Sequence, residues 1–214
     1  MGSCNSGGKG DGFSGGGGSV DSADILSVTS LISAREGKQQ EVDEVLTTFR
    51  DVYDEYGFAV DDSHIATMTD SAKSVMAYYD GSSIAINEAY FNKAKMESAY
   101  ESCVQQGFHP SKGNKTALQA VASHELGHAL NDVAMGKMKM GRDDTAKAIL
   151  KEAKKNIGFK GKLGDMAGKI SGYAKYSPSE AIAEAFSDVY CNGKNAKSES
   201  TAIVNVMNKY IKNQ

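Results

Sequence analysis

The run His124-Glu125-Leu126-Gly127-His128, inside ASHELGHAL, sets two histidines four residues apart with a glutamate directly after the first. On a helix, residues i and i+4 stand on one face about one turn apart, so both imidazoles can reach one ion at roughly 2.0–2.1 Å. Glu125 projects about a hundred degrees round that helix, where it can reach a water on the metal without displacing it. That is the placement of a general base. A metal there lowers the pKa of its water towards about 7 and polarises a scissile carbonyl, while the carboxylate carries the proton to the leaving amine. Gly127 costs roughly 1 kcal/mol of helix propensity, which is understandable if another segment packs closely against it.

Two histidines leave a third ligand to be found. The metzincin continuation would require glycine at 131 and histidine at 134; Asn131 and Ala134 stand there, so that class is excluded. A carboxylate from a later helix is the remaining route. Glu180 and Glu184, in SPSEAIAEAF, are one helical turn apart, and Asp188 continues the row on a helix that is otherwise largely apolar. One carboxylate ligating zinc while the other accepts the outer N–H of a ligand histidine would account for both. Glu180 has a second explanation. Ser177, Pro178 and Glu180 form a capping-box pattern in which Glu180 is the N3 partner of the cap.

Two segments, FHPSKGNKTALQAVASHELGHALND (Phe108 to Asp132) and ISGYAKYSPSEAIAEAFSDVY (Ile170 to Tyr190), resemble the gluzincin metallopeptidases. The likeness is greatest to the anthrax lethal factor-like catalytic domain, with related small Pro-Pro endopeptidases and phage-associated peptidase domains. The second segment has that family's tyrosine seven residues before a glutamate and its E-x-x-A-E-A-F run. The resemblance covers about residues 74–192 and implies a zincin-like fold holding one Zn2+ on His124, His128 and Glu180, with Glu125 as general base. It also implies that Glu184 orients a ligand histidine and that Tyr173 donates a hydrogen bond to the oxyanion of the tetrahedral intermediate, with Tyr176 as the nearest alternative. Ser82 to Asn87 would be the edge strand along which an extended substrate lies, making Ser83, Ile84, Ala85 and Ile86 the expected substrate-binding residues.

The elements that must position these residues are readable in outline. Residues 1–20 are rich in glycine and serine and read as a flexible tail, residues 21–73 as an N-terminal helical part, and residues 74–214 as the catalytic domain. Val42, Val45, Leu46, Phe49, Val52 and Tyr53 mark an amphipathic helix over 36–56 that stops at Gly57. Two β-prone runs flank Asp80-Gly81, a hairpin signal that predicts a small antiparallel pair. Helices are expected over 89–106, from a cap at Asn114 or Thr116 to about residue 134, over 144–156, from Ser177 to about residue 190, and over 201–212. KGKLGDMAGK is glycine-broken and reads as a loop. The fold class is α+β, mostly helical, with one small sheet before the motif helix.

Composition narrows function less than the motifs do. A formal charge of −3 over 214 residues argues against nucleic acid or a membrane surface as partner. Cys4, Cys103 and Cys191 are scattered without CxxC spacing. No apolar run is long enough for a secretory signal or a membrane span, so the expected setting is cytoplasmic or virion-associated. Met1 to Ser6 matches a myristoylation pattern, though a glycine-serine tract produces such matches cheaply. His64 and His109 lack a partner at metal-ligand spacing and read as surface or loop residues. Met135, Met138 and Met140 read as core filling or a mobile loop, and the lysines from Lys147 to Lys162 as a solvated helix face. The expected activity is zinc-dependent hydrolysis of a protein or peptide substrate. The alternative is a structural or virion-associated, phage-type protein, bound to an assembly partner, that keeps the zinc but cleaves little or nothing.

Overall fold

The structure is a computed structural model that describes residues 37–60, 62–66 and 74–212; the glycine-rich tail and the myristoylation pattern lie outside the described residues. The elements are α1 (Gln39–Tyr56), β1 (Asp62–Ala66), β2 (Ala77–Tyr79), β3 (Ser83–Asn87), α2 (Lys93–Gln105), α3 (Ala117–Met138), α4 (Arg142–Asn156), α5 (Leu163–Ile170), α6 (Pro178–Asn192) and α7 (Ser198–Lys212). Short 3-10 turns at Tyr173–Lys175 and Gly193–Asn195 flank α6. The class is α+β and mostly helical.

α3 carries the histidine motif and runs through the middle of the fold. It is apolar nearly all the way round, as a helix surrounded by others must be. α1, α2, α4, α6, α7 and β2 all pack against it, most extensively α6. Its start is a full capping box: Thr116 Oγ1 accepts the Gln119 N–H (3.3 Å) and Gln119 Oε1 accepts the Thr116 N–H (3.1 Å). α1 lays Val42, Val45, Phe49 and Val52 on the core and ends at Gly57, whose φ of 62° supplies the left-handed cap.

The sheet differs from the expected antiparallel pair. β2 and β3 do form the hairpin, turned at Asp80-Gly81, but β1 adds a third strand parallel to β3, giving the order β1-β3-β2. β3 is therefore the central strand, and all five of its residues are buried. This overturns the expectation that Ser83, Ile84, Ala85 and Ile86 form an edge, because hydrogen-bonded neighbours occupy both sides of their backbone. The same pairing puts a strand, residues 62–66, in the part expected to be helical and ties it to the part that follows residue 74.

KGKLGDMAGK also differs: Leu163–Ile170 is helical. Met166, Ala167 and Ile170 are buried and Leu163 packs beside them, an i, i+3, i+4, i+7 face. Gly164 faces open space and Gly168 meets only the stem of Lys175, so both glycines lie off the buried face. The lysines of α4 behave as expected: Lys147, Lys151 and Lys155 are exposed while Ala146, Ile149, Leu150 and Ala153 are buried. Among the described residues no helix is long and apolar enough to cross a membrane.

Candidate active site

Gly127 decides how α3 meets α6. A Cβ on it would lie 2.8 Å from Ala183 Cα and 3.2 Å from the Ala183 carbonyl oxygen, so only glycine lets the two backbones come this close. Ala183 stands between Glu180 and Glu184, and Gly127 between His124 and His128. The contact brings Glu180 between the two histidines and Glu184 to the outer side of His124.

Glu180 Oε2 lies 3.2 Å from His124 Nε2 and 3.4 Å from His128 Nε2. Ligand atoms of these three residues all fall within 4.8 Å of one another. Glu180 also meets the cap, but with its backbone: Ser177 Oγ accepts the Glu180 N–H at 3.1 Å, leaving the carboxylate to the histidines. Only half of the capping box forms: the Ser177 side chain caps the Glu180 N–H, while the Glu180 carboxylate lies against the two histidines. Its Oε2 is buried and makes no aligned hydrogen bond despite its closeness to two ring nitrogens. Two imidazole nitrogens and one unsatisfied carboxylate oxygen converging on a point fit a cation. Burial alone would raise the Glu180 carboxyl, but His124 and His128 outweigh it and hold the group far below the usual carboxylate range.

The outer ring nitrogens are supported differently. His124 Nδ1 sits 2.8 Å from Glu184 Oε1, and His128 Nδ1 sits 3.1 Å from Ser179 Oγ. Glu184 is 1% exposed; its Oε1 also meets His109 Nδ1 at 2.9 Å, and its Oε2 accepts the Ser171 hydroxyl at 2.6 Å. Burial pushes its carboxyl up, yet His109 and His124 bring it down to about 2, so it is ionised across the physiological range. Asp188, which continues the row in sequence, takes no part: it accepts Asn192 Nδ2 (2.8 Å) and the Lys197 N–H (3.0 Å) at the far end of α6.

No family model matches this chain, and no curated protein or solved structure matches it either.

Glu125 is buried beside the three convergent groups. Burial raises its carboxyl above the ordinary range; His124 and His128 oppose that rise, Glu180 adds to it, and the backbone N–H of Tyr79 opposes it. A carboxyl raised in this way takes up a proton more readily than an ordinary carboxylate does. The Tyr79 contact also places β2 at the site. Asp80 N–H and Met76 C=O bond to β3, so the alternate residues Ala77 and Tyr79 turn their backbone groups away from β3, and that of Tyr79 meets Glu125.

Tyr173 stacks on His124 with ring centroids 5.6 Å apart and planes 14° from parallel. Tyr176 is 67% exposed and packs edge-on against Tyr173 and Phe108, one layer further out. Of the two tyrosines, Tyr173 is the one against His124.

Three residues of the site were not assigned to it from the sequence. His109 and Ser171 meet Glu184, which stands 75 and 13 positions away, and Ser179 supports His128 from 51 positions away. Ser179 stands next to Glu180 in SPSE and His109 just before the motif helix, the local hints that the sequence offers. His109 lies in a loop, one of the two settings expected for it, but it is half-buried inside the site and not on the surface.

Proposed function

We propose that this chain is a zinc-dependent endopeptidase with a zincin-like fold of the gluzincin type, as the resemblance of its two motif segments implies. The observation that carries the reading is the convergence of His124 Nε2, His128 Nε2 and Glu180 Oε2 beside a buried Glu125. Two nitrogens and one oxygen are the donor set of catalytic zinc sites that keep a coordination position open. Zn2+ held by these three residues would supply Lewis acidity towards a scissile carbonyl and an attacking water.

The protein's own groups perform the proton chemistry. Glu125 accepts the proton of the attacking water and returns it to the leaving amine, and no covalent intermediate with the chain forms. Tyr173, stacked on His124, donates a hydrogen bond to the oxyanion of the tetrahedral intermediate. The substrate peptide lies along the outward edge of β2, next to Glu125, and adds a strand to the sheet. β3, being central, forms the floor behind it.

Incubation of the zinc-loaded protein with a diverse peptide library, read by mass spectrometry, tests this reading. Cleavage by the wild type that disappears in Glu125→Gln, with zinc retained, supports it and reveals the preferred sequence. Zinc bound with no cleavage by either protein points instead to a structural or virion-associated role.

A further inference from the structure

We propose that His109 is a positioning residue of the metal centre: its Nδ1 holds the Glu184 carboxylate, and through that carboxylate it fixes the His124 ring. The inference rests on the metal-site reading above and adds a residue to it. Glu184 reaches three side chains, His109 and His124 through Oε1 and Ser171 through Oε2. A carboxylate held at one oxygen can still turn about its Cγ–Cδ bond. Ser171 and His109 together hold both oxygens, and His124 Nδ1 stands 2.8 Å from Oε1 without an aligned hydrogen bond in this structure. A small turn of the His124 ring would let Nδ1 donate to the carboxylate held in this way, which puts the lone pair of that ring on Nε2, the atom facing Glu180.

His109 is itself fixed more firmly than a loop residue needs to be. Its ring stacks on Tyr100, 5.4 Å between centroids and 4° from parallel, and meets Tyr173 and His124 edge-on. Gly107 and Phe108 carbonyls accept the Gly172 and Tyr173 N–H groups at 2.8 and 3.0 Å. The Tyr100 hydroxyl donates to the Pro110 carbonyl at 3.1 Å on the other side. The loop before α3 is thus tied to the turn that carries Tyr173, and His109 sits between them.

Two variants separate the hydrogen bond from ring packing. His109→Phe keeps an aromatic ring against Tyr100 and removes the donor; His109→Asn loses most of the ring but keeps an N–H close to the Nδ1 position. Zinc dissociation constants are measured by competition with a chromogenic chelator, for these proteins, for Glu184→Gln, and for the His109→Phe/Glu184→Gln double variant. Melting of each metal-free protein reports folding. The expected result is a roughly tenfold loss of zinc affinity in His109→Phe, near-normal affinity in His109→Asn, and no added loss from His109→Phe in the Glu184→Gln background. Wild-type affinity in His109→Phe, equal losses in both His109 variants, or additive losses with Glu184→Gln would each overturn the proposal. If the wild type itself binds no zinc, the metal reading fails as a whole; failure of the His109 role alone leaves wild-type binding intact.

Discussion

Gly127 and Ala183 are in backbone contact: a Cβ on the glycine would stand 2.8 Å from the alanine Cα. This contact sets the distance between the helix that carries the two histidines and the helix that carries the two glutamates. Gly127→Ala is expected to push α6 off α3 and destabilise the protein by roughly 1–3 kcal/mol, despite the better helix propensity of alanine. Zinc affinity should fall with it, because Glu180 retreats from both Nε2 atoms. Thermal melting and chelator competition on one preparation check both effects; a melting temperature at or above wild type would show that the helices tolerate a methyl group there.

The two uses of residue 180 can be separated. Glu180→Gln keeps the backbone N–H that Ser177 caps, so α6 should stay helical while zinc binding is lost. Ser177→Ala removes the cap, is expected to lower stability by about 1 kcal/mol, and should leave zinc affinity nearly unchanged. Circular dichroism melts beside zinc titrations distinguish the two, and the reverse pattern would make Glu180 a capping residue.

Tyr173→Phe preserves the ring that stacks on His124 and removes only the phenol. With an identified substrate, kcat should drop on the order of 10²-fold while KM and zinc content change little, the signature of a donor used in the transition state. If kcat is unchanged and Tyr176→Phe shows the loss, the assignment passes to Tyr176.

Asp80 governs the β2–β3 turn. Its Oδ1 accepts the Ser82 and Ser83 N–H groups at 2.9 and 2.8 Å, and its Oδ2 accepts the Ser83 hydroxyl at 2.8 Å. Burial would raise its carboxyl, but these bonds outweigh burial and hold it below the ordinary value of 3.8. A depressed carboxyl stabilises the fold in full above its unfolded value, and that contribution is lost as pH falls through the folded one. The stability gap between wild type and Asp80→Asn should therefore be constant from about pH 7 to pH 5 and close below about pH 4, as followed by urea denaturation. A gap that persists at low pH would mean that the carboxylate charge is not what holds the turn.

Local spacing within the sequence determined much of this protein. HELGH is a helical pair with an adjacent carboxylate because i, i+4 geometry needs only one helix, and the order of helices follows from apolar periodicity, caps and glycine stops. The glycine inside the motif also foretold a close neighbour, which proves to be Ala183. The α5 helix stayed hidden because its two glycines lower propensity while its buried face, Met166, Ala167 and Ile170, is settled only by packing. Tertiary structure alone decided the rest. β3 lost its edge because a strand more than fifteen residues earlier pairs with it, and pairing partners in a sheet leave no mark in the strand's own sequence. His109 became part of the site for the same reason. Its partner Glu184 lies on a helix that reaches it only through the close approach at Gly127, and contacts across 75 positions are made by folding, not by spacing.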